Sequence, residues 1–275
     1  VPTARSILRF GQPAPAEPGP PLVVADPNYD LHLTEPASDA AETPAKVGLL
    51  RQAGVRFNRL RGTRAEGERI AELLGVRPLL GAAALEEPMK AARSPQILHI
   101  ATHGFFLAAH EQDLLAPGLR RLGGSVGDSA LVRSGLALAG ANTRLRGGAL
   151  PPEAGDAILN GLDVAAMDLG ATRLVVLSAC ETGLGELESG EGVFGLSRTF
   201  MQAGARTLVL SLWKVPDAQT QELMVDFYQQ LLAGAPVSGA LRAAQQRLKM
   251  RYPDPLYWAG FICQGDPGPI TGQAP

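Results

Sequence analysis

Cysteine is almost missing from this chain of 275 residues, which carries two, Cys180 and Cys263. Two thiols can build neither a disulfide framework nor a zinc site of ordinary ligand spacing. The expectation is a reduced, cytoplasmic setting with no metal and no cofactor. Lysine is nearly as scarce, confined to Lys46, Lys90, Lys214 and Lys249. With 25 basic against 27 acidic side chains and a net charge of -2, no basic surface is expected to bind nucleic acid directly. Long apolar runs are lacking too: they reach about six to eight residues, where a bilayer span needs roughly 20. No membrane partner is expected, and no signal-peptide pattern opens the chain. It begins at Val1 without an initiator methionine, which reads as a piece of something longer.

Glycine and proline are plentiful, at 32 and 22 residues, and they punctuate the chain into short elements. The length suits one large α/β domain or two small ones. Residues 1–21 read as a linker or the remnant of a longer chain, with a Pro/Ala-rich end. Residues 22–25 form an apolar strand stopped by Asp26-Pro27-Asn28, and 30–56 read as a loop. Thr63 and Glu66 have the spacing of a capping box, opening a helix whose face is Ile70, Leu73 and Leu74 and whose end is Gly75. Leu79-Leu80 reads as a second strand, followed by a short helix with Leu85 and Met89. A third strand, 97–102, lands on His103-Gly104. From 105 to 155 the sequence is Gly-rich and aperiodic, a length that compact domains keep for function. A helix is expected over 158–167, then the strongest strand, 173–178, ending at Ala179-Cys180. Beyond it, helices carrying Phe194, Leu196 and Phe200, then Leu223, Phe227 and Leu231, then Leu241, Ala244 and Leu248 alternate with strands at 207–212 and 258–263. Short, continuously apolar strands alternating with amphipathic helices predict a parallel sheet covered on both faces.

Such sheets place their chemistry at the carboxyl ends of the strands, and His103 and Cys180 both fall there. A thiol nucleophile needs a base and N–H donors for the oxyanion. Gly104, without a side chain, lets its N–H approach a carbonyl closely, and the N–H of Cys180 is the natural second donor. From position alone the structural alternatives stand level: a strand-end cysteine acts as a small hydrophobe, a strand-end histidine as a hydrogen-bonded core residue. Cys263 lies within an apolar strand and reads as core, as does His99, while His32 and His110 fall in loops without metal-ligand spacing. Neither Ser178 nor Ser211 sits in a Gly-x-Ser-x-Gly elbow. The run GEGVFG (190–195) matches the dinucleotide fingerprint, but it does not follow a strand directly and is crowded by Glu181, Glu186, Glu188 and Glu191. A nucleotide-binding domain is therefore set aside.

The stretches ILHIATHGFF (97–106), VLSACETGLG (176–185), GEGVFGLS (190–197) and ARTLVLSLWKVPD (205–217) resemble the CHAT family of caspase-like domains. ADPNY (25–29), GTRAE (62–66) and WAGFI (258–262) are weaker echoes. The likeness covers residues 22–268, leaving 269–275 as a tail. It implies a caspase-like three-layer α/β sandwich with a mainly parallel six-stranded sheet. It also implies peptide-bond hydrolysis of protein substrates by Cys180 and His103, with Gly104 as an oxyanion donor. The pocket for the residue before the scissile bond is then expected among Asp26, Ser178, Trp213 and Asp217. Similarity of 213–217 to the separase stretch that meets a substrate arginine implies a basic or uncharged residue there. For Asp217 the alternative is a first-turn residue complementing its helix dipole. Family members often adjoin tetratricopeptide repeats or another sensor domain. Such a partner lies outside this piece, which has no repeat of about 34 residues. A catalytically silent scaffold of the same fold is the second functional reading.

Overall fold

Strands apolar along their whole length must be covered on both faces, and a parallel sheet between helices meets that demand. In the computed structural model, which describes residues 17–32, 44–107, 130–184 and 191–270, four such runs lie side by side. They are β1 (Leu22–Pro27), β3 (Ile97–Ala101), β7 (Leu174–Leu177) and β9 (Thr207–Ser211). With β2 (Leu79–Gly81) and β10 (Phe261–Gly265) they form a six-stranded sheet in the order β10-β9-β7-β3-β1-β2. Every neighbouring pair is parallel except β9–β10.

Strand alternation divides the core between the two faces. Leu174, Val176 and Val209 pack against α2 (Arg61–Leu74), α8 (Asp217–Leu232) and α9 (Val237–Arg251), meeting Ile70, Leu223, Phe227 and Leu248. Val175, Leu177 and Leu208 point the other way, onto Leu196 and Phe200 of α7 (Glu191–Gln202) and Val164 of α6 (Gly161–Ala165). Each large side chain buried in this way contributes about 1.5–3 kcal/mol. α2 lies unusually close to β1 because Gly67 has no Cβ; one added there would stand 2.5 Å from the Cβ of Ala25.

A second sheet was not expected. β4 (His103–Leu107), β5 (Ser134–Ala137), β6 (Ile158–Asn160) and β8 (Cys180–Leu184) form it in the order β6-β5-β4-β8. The span 105–155, read as an aperiodic excursion, supplies most of β4, all of β5, and the helices α4 (Ala130–Arg133) and α5 (Ala141–Leu145). Residues 108–129 and His110 lie outside the described residues. Likewise 30–56 is not all loop, since it contains α1 (Ala45–Gln52). Its Val47 and Leu50 join Phe105, Leu145 and Ile158 in a third apolar cluster. The helix expected at 158–167 begins instead as strand β6, whose Asn160 then caps α6 with a capping box. The strand expected from Trp258 starts at Phe261, after α10 (Pro255–Trp258). The short helix with Met89 is α3 (Glu86–Lys90).

The capping box at Thr63 and Glu66 is a correction. α2 begins earlier, with Leu60 at its N-cap and no side-chain cap. Thr63 Oγ1 donates back to the Leu60 carbonyl at 2.8 Å, and Glu66 is buried at 1 % exposure. No helix among the described residues is long and apolar enough to cross a membrane.

Candidate active site

The two sheets share two strand paths. β3 and β7 are parallel neighbours in the large sheet, with Ile100 opposite Leu177. Three residues further along each path, His103 is opposite Cys180 in the β4–β8 pair. Both chains thus cross from one sheet to the other at the same level, keeping their register. The expectation that these residues end their strands is corrected: each opens a strand of the second sheet. Neighbouring strands lie about 4.8 Å apart, so the backbone alone sets residues 103 and 180 side by side. Gly104 follows in β4, between Leu136 of β5 and Glu181 of β8.

His103 is held on several sides. Its Nε2 lies 2.6 Å from the carbonyl oxygen of Asn58. A carbonyl only accepts, so Nε2 carries the proton and Nδ1 keeps its lone pair. Nδ1 is buried and has no hydrogen-bond partner among the described residues. The rings of Tyr29 and Phe57 flank the imidazole at 5.5 and 5.7 Å between centroids. The backbone is fixed by a relay. His103 N–H donates to the Tyr29 hydroxyl at 3.3 Å, Tyr29 pairs with Thr102 Oγ1 at 2.9 Å, and Thr102 donates to the Ala137 carbonyl at 2.5 Å. Because the Thr102 proton is spent on a carbonyl, Tyr29 must donate to Thr102. Burial pushes the Tyr29 phenol up to about 12, against the lowering effect of its hydrogen bonds to Thr102 and His103.

Burial lowers the His103 pKa; the Asn58 hydrogen bond opposes this, Lys214 adds to the lowering and Asp217 resists it. The ring is therefore neutral, and basic at Nδ1, at neutral pH. A rate that depends on neutral His103 should be full at neutral pH and fall on acidification. We expect its acid limb below the ordinary histidine value of about 6.5, read from the pH profile of Cys180 alkylation. An acid limb above 6.5 would contradict the assignment.

Of the pocket residues expected from the sequence, the structure brings Ser178 and Asp217 together with His103. They line one small cleft, of about 20 Å³, with Glu66, Lys214 and Thr220. Asp217 opens α8 and accepts from the N–H of Gly62 in the first turn of α2 at 3.4 Å, so it also complements helix N-termini. Trp213 does not line this cleft. It is partly exposed, and its indole donates to the Leu256 carbonyl at 3.3 Å. Asp26 is elsewhere as well. Its carboxylate is buried and gripped by Arg59 at 2.8 and 2.6 Å, with Arg64 at 3.5 Å. Asp26 itself adopts φ 45°, a left-handed conformation that Asp tolerates better than most residues. Arg59 adjoins Asn58, so this clamp fixes the segment whose carbonyl orients His103.

Asn58, Tyr29, Arg59 and Glu66 were not singled out from the sequence as site residues. ADPNY contains Tyr29 and GTRAE contains Glu66, but nothing in residue type marks a backbone carbonyl such as that of Asn58. His99 is buried, as expected, between Tyr228 and Glu66. Cys263, in β10, packs against the core and is only partly buried, and burial pushes its thiol up to about 11. No group of three His, Cys, Asp or Glu among the described residues could hold a metal ion.

Comparison with known proteins agrees with the motifs. Human tetratricopeptide repeat protein 28 is 29% identical over 223 residues, 76% of this chain but 9% of that protein. Its Mus musculus counterpart is 28% identical over 219 residues, again 9% of its length. The chain thus spans about a tenth of these curated relatives. The crystal structure of the Arg specific cysteine proteinase gingipain R superimposes with a TM-score of 0.45 and 11% identity, over 75% of this chain and 42% of that one. The family model described as the CHAT domain matches residues 1–266, and the chain belongs to that family.

Proposed function

We propose that this domain is a cysteine endopeptidase acting on protein substrates. The observation that carries the reading is the β4–β8 register, which sets Cys180 beside a histidine whose Nδ1 is buried and basic. In this mechanism the Cys180 thiol gives its proton to His103 Nδ1 and the sulfur attacks the substrate carbonyl carbon. The N–H groups of Gly104 and Cys180 stabilise the resulting oxyanion. His103 then returns the proton to the leaving amine, and water releases the acid from the thioester, with His103 again as base. The Asn58 carbonyl does the orienting work that a carboxylate does in other triads, accepting from Nε2–H throughout.

Asp217 and Ser178 line the cleft beside His103, which favours a basic or uncharged residue before the cut; Trp213 and Asp26 lie outside that cleft. Control by a tetratricopeptide-repeat or other sensor domain fits the name of the relatives, and a cytoplasmic setting fits the dependence on a free thiol. A peptide carrying a thiol-reactive acyloxymethyl ketone tests the reading on the chain with its neighbouring domains present. Labelling should map to Cys180 by mass spectrometry and leave Cys263 unmodified. A chain that folds but takes no label at Cys180 would favour the silent scaffold.

A further inference from the structure

We propose that Asn142 is a positioning residue of the active site, which aims the Asn58 carbonyl at His103. This deepens the peptidase reading and rests on it for the identity of the reaction.

The carbonyl that orients His103 comes from residues 55–60, which belong to no helix or strand. No sheet ladder therefore fixes its direction. Asn142, in the first turn of α5, supplies the missing partner. Its Oδ1 accepts from the N–H of Phe57 at 2.9 Å, and its Nδ2 donates to the Phe57 carbonyl at 2.8 Å. Bonding both main-chain groups of one residue is what a neighbouring strand does, and a primary amide carries the donor and the acceptor that this needs. A residue held on one side by both groups sends the next carbonyl to the other side, as alternate residues of a strand do. The Asn58 carbonyl accordingly meets Nε2 of His103, at 2.6 Å.

Both supports of the histidine converge on Asn142. Its own N–H donates to the Tyr29 carbonyl at 2.9 Å, and Tyr29 is the residue whose hydroxyl receives the His103 N–H. A second Nδ2 hydrogen reaches Asp30 Oδ2 at 3.3 Å. A flipped amide would break all three side-chain bonds, so only one orientation satisfies the site. Asn142 is 2 % exposed, and water does not compete for these groups. The turn into α5 is seated by Gly140, whose N–H donates to the Asn28 carbonyl at 2.9 Å from a left-handed conformation, φ 96°. The Asp26–Arg59 pair anchors the chain one residue beyond Asn58, and Asn142 anchors it one residue before. With both neighbours held, the carbonyl between them keeps one direction, and the base it orients keeps the alignment that proton transfer requires.

The test compares the whole chain with its Asn142→Ala variant, both carrying nitrogen-labelled histidine. The readings are the His103 ring tautomer by magnetic resonance, the pH profile of Cys180 alkylation, and peptide hydrolysis. The parent should hold the Nε2–H tautomer at neutral pH. In Asn142→Ala the two tautomers should mix, and the acid limb should move to lower pH, because the Asn58 hydrogen bond raises the His103 pKa. The value of kcat should fall at least about tenfold, with KM changed by less than about twofold. A variant that melts cooperatively yet keeps the parent's tautomer, acid limb and kcat would overturn the proposal. If Asn142→Ala does not melt cooperatively, the parent chain decides on warming. Its Nε2–H tautomer should persist as long as the Phe57 N–H shows a through-hydrogen-bond coupling to the Asn142 amide carbon. A tautomer that averages while that coupling is intact, or no coupling at all, rejects the role. The two readings fail separately: a parent that hydrolyses no peptide defeats the peptidase reading, while the tautomer and the alkylation profile still decide the role of Asn142.

Discussion

Replacing Cys180 or His103 by alanine should lower hydrolysis of a cleavable peptide by about 10⁴-fold or more, and replacing both should lower it no further. The absence of additivity is the diagnostic part. If the thiolate is formed only by transfer to His103 Nδ1, either loss removes the same step, and what remains comes from binding and the oxyanion donors. A cysteine and a histidine serving separate structural purposes would give independent, roughly additive losses instead. The two substitutions also differ in stability, which gives an internal control. His103 is packed against Tyr29 and Phe57 and bonded to Asn58, so His103→Ala opens a cavity and should lower the melting temperature. Inhibitor affinity measured alongside separates lost chemistry from lost folding. A double variant markedly slower than either single one would remove the dyad from the mechanism.

The second large effect is expected at a residue that touches no substrate. Asp26→Asn keeps the shape and tolerates the φ of 45°, but it gives up the charged, two-point grip on Arg59. The arginines left behind, at 63 % and 47 % side-chain exposure, can turn to water, so stability should fall by only about 1–2 kcal/mol. Catalysis should suffer more. Residues 58–59 would no longer be pinned, the Asn58 carbonyl would drift from His103, and a misplacement near 1 Å costs on the order of 10²-fold. The loss should fall on kcat rather than KM. Because the Asn58 hydrogen bond raises the His103 pKa, its loosening should move the acid limb to still lower pH. A purely structural defect would lower the melting temperature and leave that limb in place.

Much of this was legible in the sequence, for identifiable reasons. Continuous apolar runs such as 174–177 are a direct record of burial on both faces, so the large sheet and its helices followed from pattern alone. His103 and Cys180 were legible because glycine and polar residues interrupt apolar runs at those points. Their significance was partly misjudged: an interruption that reads as a strand end is here a passage into a second sheet. That sheet escaped notice because its strands run three to five residues, too short to display a period, and Gly104 and Gly135 blur what pattern there is. Thr63 and Glu66 had the right spacing for a capping box and the wrong location, since the helix starts at Arg61. Asp26 was expected in the pocket, but the partner that occupies it, Arg59, lies 33 residues away, a separation no local pattern reports. The Asn58 carbonyl could not have been read at all, because every residue has one.

The paired crossings from β3 to β4 and from β7 to β8 have a mechanical consequence. Two links at one level define an axis, and His103 and Cys180 stand on it. When one body swings over another, points on the pivot translate least and points far from it most. Twisting of the small sheet over the large one would therefore carry distant walls through large arcs while barely altering the spacing of residues 103 and 180. A partner that docks on either sheet can reshape what reaches the thiol without ever having to rebuild the thiol's immediate neighbourhood.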